Sequence, residues 1–131
     1  MGITSLPFEL DRDEIRPHHL AAREIRGTIR VQDDAIIIAF RLRGAADAAA
    51  HQVRVPIGAV SRIRMTGGVF KSPRLLLDVA REELLKPLPW ADGRLCVMRF
   101  RRAHGVAVRE LIEEVEVRMA ELAARRGTAP D

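Results

Sequence analysis

The chain has no tyrosine, one tryptophan and four phenylalanines in 131 residues. Proteins that hold single-stranded nucleic acid by stacking place aromatic platforms among their basic side chains. This scarcity leaves only weak, salt-sensitive, non-specific attraction to nucleic acid. One cysteine, Cys96, allows no internal disulfide, which fits a reducing compartment. Its apolar surroundings predict a buried, inert thiol. No apolar run approaches the ~18–20 residues that cross a bilayer. The stretch MGITSLPFELDRDE has neither the basic start nor the apolar body of a secretory signal, and it misses the myristoylation pattern. The expected location is the cytoplasm, including the inner face of its membrane. Lysine is also scarce: 20 of the 22 basic residues are arginine.

Hydrophobic residues make up 47% of the chain and charged residues 31%, enough for one domain with a sizeable core. The net charge of +4 is unevenly spread. Residues 21–102 carry 16 basic and 8 acidic side chains, while both flanks are mildly acidic. Such a basic middle either attracts phosphate and carboxylate groups or reflects a compositional bias toward arginine.

Period-two alternation runs through that middle. EIRGTIRV and AIIIAFRLRG, parted by Gln32-Asp33-Asp34, read as a hairpin. Ile36, Ile38, Phe40 and Leu42 are expected inside, with Arg41 and Arg43 in water. In VRVPIGAVSRIRMTGG a strand ends at Pro56, turns at Ile57-Gly58, and resumes with Ile63 and Met65 inside. Its Arg54, Arg62 and Arg64 fall on the outward parity, as a half-buried strand requires of its wet face. A further strand begins at Val69-Phe70 and resumes as RLLLDVA, with Leu75, Leu77 and Val79 inside. Leu84, Leu85 and Leu88 suggest a short strand. RLCVMRFRR is the last strand, with Cys96, Met98 and Phe100 inside. The parity of Leu95 and Val97 is ambiguous.

From residue 103 the period changes to three and four. Val108, Leu111, Ile112, Val115, Met119 and Leu122 fill an arc of about 100° on a helix of about six turns. Gly127 ends it, with Arg125 and Arg126 near its negative end. PFELDRDEIRP reads as either a short strand or an extended arm. The expected organisation is an N-terminal arm over 1–21, one domain over 22–126 and a frayed tail over 127–131. The expected fold is mainly β: seven antiparallel strands bent into a partly open barrel or orthogonal sandwich, capped by one C-terminal helix.

VRVPIGAVSRIRM and GRLCVMRFRRAHGVAVRELIEEV together resemble segments of the pleckstrin-homology-like (PH-like) domains, in particular small bacterial ones. The resemblance spans residues about 22–124. The first segment is similar to a strand that ends at a Pro-apolar corner. The second is similar to the last strand passing into the capping helix. The resemblance implies a module that binds phosphoinositides, peptides or partner proteins, or oligomerises, and does no chemistry itself. Some members hold inositol phosphates through a basic residue ending one strand and a basic-x-Arg pair on the next. Arg30, Arg41 and Arg43 have a similar spacing, so they are the candidate anion-binding residues.

No catalytic residue, metal site or cofactor is expected. His18 and His19 are adjacent and cannot easily share one ion, and they, His51 and His104 are expected on the surface. Thr66-Gly67-Gly68 lacks the Lys-Ser/Thr of a phosphate loop and reads as a turn. Trp90 is a candidate contact anchor or a cover over the core. Val106 and Val117 fall opposite the helix's docking stripe, as candidate self-association residues or isolated surface valines. The expected partner is protein, another copy of the chain or a neighbour. Anionic lipid head groups are the alternative, held by the outward arginines.

Overall fold

Alternating side chains do build two antiparallel sheets. The computed structural model describes residues 5–11, 24–43, 50–67 and 71–127. The first sheet has the order β1 (Leu6–Asp11), β2 (Glu24–Gln32), β3 (Ala35–Arg43), β4 (Ala50–Pro56). The second has the order β5 (Val60–Thr66), β6 (Arg74–Val79), β7 (Leu95–Arg99). A 23-residue helix, α1 (Gly105–Gly127), follows. Among the described residues no hydrogen-bonded ladder joins the sheets, so they form no closed barrel. β4 passes into β5 through a tight turn over Ile57–Ala59, and β7 lies beside β1.

The expected inward residues are inward. Ile36, Ile38, Phe40, Val53, Val55, Ile63, Leu75, Leu77, Val79, Cys96, Met98 and Phe100 are buried. PFELDRDEIRP resolves in favour of strand over Leu6–Asp11, which sends Leu6, Phe8 and Leu10 into the same core. Two details differ from expectation. Glu82–Leu84 is a 3-10 turn, and the residues after it continue in turns rather than as a strand. Pro87 and Pro89 cannot donate ladder bonds, so Leu85 and Leu88 are buried from a folded-over loop. Ile37 lies on the outward parity yet is only 3% exposed, outside the main core cluster. Its cross-strand neighbours are Arg30 and Arg54, whose methylene stems cover apolar surface. Val69 and Phe70 lie outside the described residues.

The helix closes one end of this arrangement. Val108, Leu111, Ile112 and Val115 are buried, each worth about 1.5–3 kcal/mol. They pack toward β5, the Ile57–Ala59 turn and β2. The hairpin tip is pinned beneath. Asp33 adopts a left-handed backbone, φ 55°, which aspartate tolerates better than most residues. Its carbonyl accepts a short hydrogen bond from the Arg118 guanidinium. Arg118 also lies 3.8 Å from the Asp34 carboxylate and 3.4 Å from Glu114, and the Asp34 carbonyl accepts from the Ile57 N–H at 2.9 Å. Arg118 is one-third exposed, so Arg118→Ala is expected to cost only about 1 kcal/mol in urea unfolding.

Candidate interaction surfaces

Strand register decides which surface residues meet. On the outer face of the first sheet, Glu9, Arg26, Arg41 and Ala50 form one cross-strand row. Pro7, Thr28, Ala39 and Gln52 form the next, and Arg30, Ile37 and Arg54 the one after. Arg30 and Arg41 share this face but stand two rows apart. Four residues along a strand is about 13 Å, so both could grip one phosphate only with their side chains extended toward each other. Arg30 donates instead to the Gln32 side chain at 3.0 Å. Arg43 pairs through its backbone with Glu24, a further row away. Arg30 is thus set apart from Arg41, whereas the backbones of Arg41 and Arg43 occupy adjacent rows.

Arg26, which sequence reasoning did not single out, lies directly opposite Arg41. Glu24 at 3.0 Å and Glu9 at 3.6 Å hold its guanidinium, so one acid on its own strand and one on β1 answer the local positive charge. Two shallow depressions flank Arg26. One, of about 320 Å³, has Thr28, Ala39, Arg41 and Ala50 in its lining, and the other, of about 250 Å³, has Pro7, Glu9 and Arg101. Arg26 was within reach of the sequence, because it shares the parity of Arg30. Its partner Glu9 was not, because it sits on the one strand left undecided.

Trp90 belongs to the interior. It is 6% exposed, edge-on to Phe40 at 5.1 Å and tilted against Phe8 at 5.7 Å. Phe8 in turn meets Phe100 at 6.2 Å. This aromatic column ties β1, β3 and the end of β7 through the loop that carries Trp90. A contact anchor needs exposure, so Trp90 is the core cover rather than the partner contact. His51 also departs from expectation: it shares the inward parity of Val53 and Val55 and stacks on Phe40 at 5.1 Å, with Nε2 buried and unpartnered. His104 is partly buried, with Nδ1 in the same condition. His18 and His19 lie outside the described residues.

Cys96 is fully buried, and burial pushes its thiol from 9.0 up to about 12. A weak contact from the Trp90 side chain works the other way, although Trp90 Nε1 has no hydrogen bond of ordinary geometry. Below pH 9 both folded and unfolded chains keep the proton. Between 9 and 12 only the unfolded chain releases it, so the fold loses stability as pH rises through that window. Urea melts across this range are expected to show a steeper fall for the wild type than for Cys96→Ala. The folded protein should resist alkylation at Cys96 until it unfolds.

Two surfaces remain after the core is accounted for. On α1, Val106 is 70% and Val117 58% exposed. On the second sheet, outward Leu76 pairs with Val97 and Arg64, Asp78 with Leu95 and Arg62, and Arg74 with Arg99 and Thr66. Leu76, Leu95 and Val97 are only partly buried. Among the described residues, no group of His, Cys, Asp and Glu has a metal-holding arrangement, and no helix is long and apolar enough to cross a membrane. No family model, no curated protein and no solved structure matches the chain.

Proposed function

We propose that the chain is a PH-like interaction module, a partly open barrel that binds protein and does no chemistry of its own, and that its first partner is another copy of itself. A four-strand sheet, a three-strand sheet reached through a Pro-apolar corner, and a terminal helix docked across their junction support the PH-like reading. The observation that carries the function is the outer face of α1. Its inner stripe is spent on the core, yet it exposes the two large apolar side chains most open to water among the described residues, Val106 and Val117. Stray valines are common, but two on one acidic face, with a counter-charged surface elsewhere on the same chain, suit association.

The competing phosphate-ligand reading needs convergent arginines, and register separates Arg30 from Arg41 and Arg43 along the strands. One comparison separates the two readings. Light scattering across a dilution series should give a mass rising from 14.6 kDa toward twice that value. Sedimentation with acidic liposomes at low salt should leave the protein in the supernatant. A constant monomer mass with salt-sensitive pelleting would replace self-association by the lipid reading.

A further inference from the structure

We propose that the outer face of α1 in one copy docks on the outer face of β5–β7 in a second copy, and that the exchange is reciprocal, closing a two-fold dimer. The inference rests on the self-association reading above and names its two surfaces.

The helix surface is built by periodicity. Val106 and Val117 are eleven residues apart, three turns, and so share a face over about 16 Å. Glu110, Glu113 and Glu121 lie on the same stripe, all exposed, with Ala120 and Ala124 keeping it low. No arginine or lysine lies on this stripe; Arg109 and Arg125 fall on its flanks. The face is apolar at two points and otherwise negative.

The sheet surface is its complement. Leu76 and Val97 are cross-strand neighbours at its centre, with Leu95 beside Val97 on the same parity. Arg62, Arg64, Arg74 and Arg99 surround them, against a single carboxylate, Asp78. Three strands span about 10 Å across, and the rows from Arg74 to Asp78 cover about 13 Å. A helix face about 10 Å wide fits that footprint. With Val117 laid over Leu76 and Val97, Glu113 and Glu121 stand about 6 Å to either side along the helix, within reach of the arginine fringe, the arrangement that gives an interface its register and partner choice.

The helix face cannot meet the sheet face of its own chain, because α1 is already docked by its other face against β5 and β2, and the match between two surfaces of one sequence names a second copy as the occupant. The outer face of α1 points away from its own sheets. Reciprocity follows from closure. A one-way contact leaves one helix face and one sheet face free on every pair and grows into an open chain, whereas a two-fold pair uses both.

Charge reversal on either surface tests this. Glu110→Arg with Glu113→Arg makes the helix face positive, and Arg62→Glu with Arg64→Glu makes the sheet face negative. Each double variant alone should run at 14.6 kDa where the wild type runs at twice that mass. Mixed in equal amounts they should regain the doubled mass, because one interface of the mixed pair is unaltered and the other has both signs exchanged. That rescue also shows that both variants are folded. A wild type that stays at 14.6 kDa throughout overturns self-association itself. A dimeric wild type with either variant still dimeric overturns only the choice of surfaces. Monomeric variants that fail to rescue each other overturn the pairing of these two faces.

Discussion

Gly27→Ala is expected to destabilise the fold by about 3 kcal/mol or more, the upper end of overpacking costs. Gly27 sits on the inward parity of β2, between Ile25 and Ile29, where a side chain would enter the core. A Cβ there would lie 2.3 Å from the Ala39 carbonyl oxygen and 2.7 Å from the Phe8 ring. The ring has some freedom to tilt. The carbonyl belongs to the β3 backbone, paired with β2 on one side and β4 on the other, so relief requires the sheet to spread. Phe8 fills the space that a side chain would otherwise occupy and carries the aromatic column toward Phe100. Gly58→Ala is the internal comparison. Its Cβ would meet the far end of Arg126 at 3.1 Å and Leu122 at 4.0 Å, both flexible tips, and should cost less than about 1 kcal/mol. Thermal melts of the two variants should differ by many degrees in midpoint.

Trp90→Ala should be of similar or greater size, about 3–5 kcal/mol. It would open a cavity between Phe8 and Phe40, the two rings that Trp90 joins. Trp90→Phe should be far milder. It keeps an aromatic body in the column, and the buried indole N–H has no well-formed hydrogen bond to lose. The pair of variants distinguishes a core role from a partner contact. A contact residue would lower association while leaving the urea midpoint unchanged, whereas Trp90 should lower the midpoint.

Most of the β-scaffold was legible because its strands alternate strictly and its helix does not. Parity alone placed Arg41, Arg54, Arg62 and Arg64 in water, and Val106 and Val117 on the far side of the helix. It also held a signal that went unused: His51 shares the parity of Val53 and Val55, and so faces inward. The β1 alternation of Leu6, Phe8 and Leu10 was equally present, but it is short, contains Pro7, and finds its partner strand only beyond residue 23. Leu84 to Leu88 differs because burial there does not go with extended backbone: Pro87 and Pro89 lack the N–H that a strand ladder needs, so Leu85 and Leu88 reach the core from turns. The candidate site was harder still. Whether Arg30 meets Arg41, or Leu76 meets Val97, is a matter of register between strands. The inter-strand spacing of side chains is set by turn geometry and bulges, such as the irregularity between Val60 and Arg62, that single-strand patterns do not encode.

The claim on which the functional account rests is that α1 keeps one face for its own sheets and the other for a second copy. Val117→Cys tests it most directly, because Cys96 is fully buried and leaves the introduced thiol as the reactive one. The rate of alkylation at position 117 should fall as chain concentration rises through the dimerisation range, while that of Gln52→Cys, on the outer face of the other sheet, stays constant. A rate at 117 that does not change with concentration would contradict the account.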